Sequence, residues 1–164
     1  MPVWVAATAL PTVDVAAARG LPLLLGMHDD NDAKVAMLRR YRSASTQHRH
    51  ASAHLAFVAD TVEEAESVLR RTMPDWLAAT RATVRIDGTD PPRRDLDAYL
   101  EHLLAIHPVG PPGAASNGLH TTLAATGVRR LLLMVEGGGN PPAHARQHRA
   151  SRPRRPARAT RRYR

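Results

Sequence analysis

The residues with the clearest chemistry sit near the start of the chain. The apolar run Val3-Trp4-Val5-Ala6-Ala7 ends at Thr8, and Ala9-Leu10-Pro11-Thr12 leads on into an alanine-rich helix. Backbone amides at a helix start, flanked by the hydroxyls of Thr8 and Thr12 and aimed by the helix dipole, make an anion site. The same two threonines also read as plain helix caps. His48-Arg49-His50 with His54 is a candidate metal cluster. Metal sites recruit convergent carboxylates or further histidines at recognisable spacing, and none is present, so this segment reads as a loop entering a strand and no metal is expected. Glu136 closes the last apolar run; at a strand exit it is either a ligand contact or a cap or solvated acid. Asp60, Glu63, Glu64 and Glu66 read as a solvated first helical turn that complements the dipole. Trp76 and Tyr99 read as core or cover rather than as stacking platforms. There is no P-loop, dinucleotide fingerprint or HExxH, and Gly137-Gly138-Gly139 lacks the lysine and helix a phosphate loop needs. The chain has no cysteine, which excludes thiolate chemistry and disulfides and fits a reducing cytoplasm.

These side chains must be positioned by an alternating framework. Residues 3–7 and 21–26 read as buried strands, continuous in apolar character as parallel strands are. Residues 54–59 and 131–136 read as two more. Between them lie helical stretches: residues 12–19 ended by Gly20, a second helix behind Asp29-Asp30-Asn31-Asp32, and a third opened by the capping-box pattern Thr61-Val62-Glu63-Glu64. A fourth is capped by Asp95 and carries Leu96, Tyr99, Leu100, Leu103 and Leu104 on one face. Residues 83–94 read as an exposed excursion, 107–112 as a loop, 113–118 as poor helix, and 118–126 as a weak helix. Strand and helix in alternation predict βαβ units and a parallel sheet.

The chain has 164 residues and a formal charge of +8, but the charge is unevenly placed. Nine of the 23 basic residues, all arginine, lie beyond Gly137 with no acid among them, which leaves 14 against all 15 acids in the part before. The expected division is therefore a near-neutral body over residues 1–136 and a basic Arg/Pro-rich tail over 137–164, too poor in large apolar residues to fold. Such a tail binds nucleic acid non-specifically and in a salt-dependent way. The body offers no helix-turn-helix, zinc module or aromatic platform, so no specific nucleic-acid partner is expected. No apolar run approaches the ~20 residues of a membrane span and no secretory signal is visible, so the expected location is cytoplasmic.

The run Pro2-Val3-Trp4-Val5-Ala6-Ala7-Thr8, a helix, then Arg19-Gly20-Leu21-Pro22-Leu23-Leu24-Leu25-Gly26 resembles the bacterial luciferase-like flavin-dependent monooxygenases. Val58-Ala59-Asp60-Thr61 leading into Glu63-Glu64-Ala65, His107-Pro108-Val109-Gly110-Pro111-Pro112, and Thr126-Gly127-Val128-Arg129-Arg130-Leu131-Leu132-Leu133 agree in the same order. The resemblance implies a (β/α)8 TIM barrel of which this chain supplies the C-terminal half, strands five to eight, since a complete barrel takes ~250 residues. It implies reduced FMN as cofactor, or a deazaflavin as in some relatives, with dioxygen and a small organic substrate such as an aldehyde. It places the flavin phosphate on Thr8, the Ala9 amide and Thr12; many relatives have serine at the position of Ala9, so one hydroxyl is missing here. The catalytic histidine and much of the pocket would lie in the other half, so no catalytic residue is assigned, and a complementing chain or a homo-oligomer would supply the missing strands. Where relatives place a covering helix after the last strand, this chain has its arginine tail. Arginine is used throughout with a single lysine, Lys34, which suggests GC-rich coding DNA in which a shifted frame would give such a tail.

Overall fold

The computed structural model describes residues 3–46, 49–81 and 95–135. Its elements are β1 (Val5–Ala7), α1 (Leu10–Ala18), β2 (Leu23–Leu25), α2 (Asn31–Arg42), β3 (Ala51–Leu55), β4 (Phe57–Val58), α3 (Val62–Arg81), α4 (Leu96–Ile106), β5 (Val109–Gly110), α5 (Pro112–Thr126) and β6 (Leu131–Met134). Four strands form one parallel sheet in the order β1-β2-β3-β6, and β4 pairs with β5, also parallel. Helices flank the larger sheet, and the architecture is a partial (β/α) barrel. Among the described residues no helix is long and apolar enough to cross a membrane.

Strand alternation gives the sheet two unlike faces. Val5, Ala7, Leu23, Leu25 and Leu131 pack with Val13, Ala16, Ala17, Met37, Leu38 and Tyr41, which defines the helix-covered side. The register Leu25↔Ser52↔Leu131 and His54↔Leu133 puts Ser52 and His54 on that same side. The opposite parity, Trp4, Ala6, Leu24, Ala53 and Leu132, faces the barrel lumen. At its floor Trp4 Nε1 donates to the Arg49 carbonyl (2.8 Å) and the Arg130 guanidinium lies over the indole. β1 and β6 are the two edges, and Leu132 on β6 is 50% exposed.

The residues between β3 and α5 build a second apolar cluster, in which Leu55, Phe57, Ala65, Leu69, Met73, Leu100, Leu103 and Val109 are buried. Leu55 and Met134, paired at the ends of β3 and β6, belong to it, so the insertion closes over the mouth at those two strands. β1 stays outside this cover.

Several sequence expectations need correcting. The third strand was expected over 54–59; it runs Ala51–Leu55, and Phe57–Val58 leaves the barrel sheet to pair with β5. Residues 107–112 are not simply a loop, since they contain β5 and the start of α5. Residues 113–118, expected as poor helix, lie within α5, where Pro112 opens the first turn. Gly118 there is an asset, because a Cβ would come 3.2 Å from Pro108 Cβ and the helix packs against that residue through the gap. The capping expectations hold at Thr61, whose Oγ1 accepts from Glu64 N (3.0 Å), and at Asp95, which accepts from Asp97 N and Ala98 N. In α2 the cap is Asp30, accepting from Ala33 N at 2.8 Å. His48, residues 83–94, Glu136, Gly137–Gly139 and the tail boundary lie outside the described residues.

Candidate functional site

Ligands of a (β/α) barrel sit at the C-terminal ends of its strands. At the exit of β1, Thr8 and Ala9 are exposed and Thr12 is half-buried. Ala9 itself is the N-cap of α1, extended at φ −152° and ψ 150°, with no side-chain cap hydrogen bond. The plain capping reading of the threonines therefore fails: Thr8 precedes the cap and Thr12 follows it in the first turn. The amides of Thr12 and Val13 both donate to the Ala9 carbonyl (3.1 and 3.3 Å), and Pro11 has no N–H. The Leu10 amide has no intrahelical acceptor. The first turn carries no acid, so the positive end of the dipole is unopposed.

At the exit of β2 the chain turns through Gly26, Met27, His28 and Asp29. A Cβ on Gly26 would lie 3.0 Å from Asp29 Oδ2 and 3.5 Å from Thr8 Cγ2, so these three residues meet at one point. Asp29 Oδ2 is buried without a hydrogen-bond partner, and burial pushes this carboxyl above the usual range against the pull of His28 and Lys34. The loop is gripped from the insertion. His102 Nε2 donates to the His28 carbonyl (3.0 Å), His107 Nε2 donates to the Met27 carbonyl (2.7 Å), and the Tyr99 hydroxyl hydrogen-bonds His28 Nδ1. Tyr99, His102 and the residue just past α4 thus fix the β2 exit.

Behind the sheet lies a buried polar group that the sequence did not advertise. Lys34 is 1% exposed and donates to the Ala53 carbonyl at 3.5 Å. Burial lowers its ammonium pKa to about 8, with Asp29 and Asp30 acting in the opposite direction. Ser52 Oγ and His54 Nε2 are 2.9 Å apart, and the His54 and His107 rings meet edge to face at 5.4 Å. Burial first, and Lys34 second, lower His54 to about 3. Burial likewise lowers His107 to about 4, opposed by its bond to the Met27 carbonyl. A cavity of about 390 Å³ opens on the outer side of His107, lined also by Asp30, Asp32, Pro108 and Thr122. None of Thr8, Ala9 and Thr12 lines it.

The histidine cluster of the sequence is split by the fold. His50 Nδ1 accepts the Leu23 amide (3.0 Å), tying the start of β3 to β2, and its ring packs edge-on against Tyr41. His54 belongs to the buried group just described. Among the described residues no three histidines or acids converge as metal ligands. Trp76 and Tyr99 pack against the insertion's apolar cluster, as cover. The sequence reading missed Asp29, Lys34, Ser52, His102 and His107. One signal was available: a lone lysine in a chain that otherwise uses arginine.

Fold and site together define a barrel segment with an uncapped helix start at its first strand exit. A family model described as luciferase-like monooxygenase matches residues 1–130, and the chain belongs to that family. It is 22% identical to the alkanal monooxygenase alpha chain of the Kryptophanaron alfredi symbiont, an alignment covering 85% of this chain and 46% of that protein. Among solved structures it is similar to flavoprotein 390 (TM-score 0.66, 18% identity, 90% of this chain and 62% of that one). It is also similar to the oxygenating constituent of 3,6-diketocamphane monooxygenase from Pseudomonas putida, a type II Baeyer–Villiger monooxygenase solved with FMN (TM-score 0.54, 22% identity, 88% and 44%). The chain thus spans about half the length of the curated relative it matches.

Proposed function

We propose that this chain is the phosphate-gripping C-terminal part of a cytoplasmic flavin-dependent monooxygenase, which uses reduced FMN and dioxygen to oxidise a small organic substrate. The observation that carries the reading is the uncapped N-terminus of α1 at the exit of β1, with Thr8 just before the cap, Thr12 in the first turn and no acid there. These groups fit a phosphate monoester: free amide at Leu10, two hydroxyls, an unopposed dipole. Reduced FMN, when bound, supplies the electrons and the carrier for dioxygen. The chain's own residues grip the phosphate at Thr8, the Ala9 amide and Thr12, and the insertion shields the mouth over β3 and β6 from water. The acid–base groups of the reaction belong to the part of the barrel outside these residues. A phosphorylated deazaflavin would use the same grip.

The test is FMN binding by fluorescence quenching, with the chain alone and with the N-terminal segment of a relative. Thr8→Val/Thr12→Val should weaken FMN and leave riboflavin, which has no phosphate, unaffected. No FMN binding in either condition removes the reading, and so does equal binding of FMN and riboflavin by the unsubstituted chain.

A further inference from the structure

The cavity on the outer side of His107 is separate from the β1–α1 turn in its lining, and its walls share one hydrogen-bonding character. Its volume of about 390 Å³ is that of a small-molecule pocket. At the head of α2, Asp30 Oδ1 accepts from the Ala33 amide at 2.8 Å, and Asn31 Oδ1 accepts from the buried Thr122 hydroxyl at 2.9 Å. Thr121 donates to the Asn117 carbonyl at 3.0 Å. Both threonine hydroxyls of the lining have therefore used their proton and keep only lone pairs. His107 is 7% exposed, and its Nε2 donates to the Met27 carbonyl at 2.7 Å. A carbonyl only accepts, so Nε2 holds the proton of the neutral ring and Nδ1 is left as an acceptor. That buried Nδ1 has no hydrogen-bond partner. Asp32 adds an exposed carboxylate, and no lysine or arginine stands among the described lining residues.

We propose that this cavity binds a small organic cation of the alkylguanidinium class. Its wall is rich in acceptors, drawn from the head of α2, from α5 and from the link after α4. An anion would gain from the dipole at the start of α2, but Asp30 and Asp32 already fill that role and repel a further negative group. A metal ion is a poor match, because no three histidines or acids converge among the described residues. A guanidinium carries five donors and no acceptor, the complement of this wall, and its charge answers the two carboxylates. It also brings the kind of donor that His107 Nδ1 lacks, relieving an unsatisfied buried acceptor. Ile106 and Pro108 give the alkyl part an apolar strip. The same chemistry is carried by the chain's own nine arginines beyond Gly137, a second source of the cation.

The experiment titrates the full chain with butylguanidinium and follows the amide resonances of Asp32, His107 and Thr122, together with the His107 Nδ1 resonance. These should shift together and saturate, while butanesulfonate, an anion of the same length, leaves them unmoved. Asp32→Asn, a surface change that leaves the fold intact, should weaken the cation about tenfold by removing a charged partner. A full-length chain with the nine arginines beyond Gly137 changed to glutamine separates the two sources. Shifts of the same resonances on that change alone assign the cation to the chain's own arginines. Shifts that appear only with butylguanidinium, and equally in both chains, assign it to a free ligand; either result supports the site. The proposal is overturned if neither the probe nor the arginine changes move these resonances. It is equally overturned if butanesulfonate acts like the cation, or if Asp32→Asn binds butylguanidinium as tightly as the unsubstituted chain.

Discussion

His54 and His107 set how this fold responds to acid. Both are buried, and burial holds them neutral, with pKa values lowered to about 3 and about 4. In the unfolded chain each takes a proton near pH 6.5. For a base whose folded pKa is depressed, the unfolded state binds the extra proton, so stability is lost as pH falls from the unfolded pKa toward the folded one. Each pH unit in that interval costs about 1.4 kcal/mol per histidine, so pH 5 removes roughly 2 kcal/mol for each and about 4 kcal/mol for the pair, relative to pH 8. A domain with ~5–15 kcal/mol in hand loses a large share of it. Asp14 and Glu101, whose pKa values are lowered by Arg40 and Arg70, lose their contribution only in the carboxylate range, below this window. Asp29, raised by burial, works the other way and also nearer that range. Urea unfolding followed by circular dichroism at pH 8, 6.5 and 5 measures the effect, with His54→Gln/His107→Gln as the reference. The double variant can be less stable at every pH; what matters is that its stability falls by about 4 kcal/mol less between pH 8 and 5. Parallel pH profiles for the two proteins would show that the imidazoles take up protons in the folded state and refute the burial argument.

Other expectations follow from single contacts. Gly110→Ala should cost about 2–3 kcal/mol by thermal unfolding, because φ is +117° and the new Cβ would lie 2.9 Å from Val62 Cγ2. Gly127→Ala should cost only about 1 kcal/mol, since φ is +72° but nothing but Arg42 Nη2, at 3.8 Å, is near; equal costs would contradict the clash. Ala9→Ser should stabilise the chain by about 1 kcal/mol by supplying the missing cap of α1, and should tighten FMN; an unchanged melting temperature would count against the uncapped helix. Tyr41→Phe should cost about 1 kcal/mol, because the hydroxyl donates to the Leu21 carbonyl at 2.9 Å.

The strands of the barrel sheet were legible because they are short apolar runs bounded by glycine, aspartate or arginine. The run at 54–59 misled because Ala51-Ser52-Ala53 carries little hydrophobic signal of its own. Those residues become a strand by pairing with Leu24, Leu25 and Leu131, which no local pattern shows. In α5 the glycines at 113 and 118 argued against helix from propensity, and close approach to Pro108 overrode it. The β1–α1 turn was legible, because a strand end, a proline in the first turn and flanking threonines are adjacent in sequence. The buried polar group was not. Asp29, Lys34, Ser52, His54 and His107 come from three separate segments, the head of α2, β3 and the link after α4, and only the folded chain brings them together.

The two faces of the sheet carry different chemistry, and this decides where selectivity can arise. Toward the lumen the strands present Trp4, Ala6, Leu24, Ala53 and Leu132, which shape a cavity but offer, apart from the indole N–H already committed to Arg49, no side chain that donates or accepts a hydrogen bond. The polar groups stand at the strand exits, and the exit of β2 is held by Tyr99, His102 and His107 of the insertion rather than by the barrel. The insertion has its own apolar cluster, separate from the one under α1 and α2. Its sequence can therefore change, and with it the placing of His28 and Asp29, while the packing that holds the Thr8–Thr12 turn stays as it is. On the proposed flavin reading, a phosphate grip carried by the barrel and a wall carried by the insertion would let one cofactor site serve different substrates.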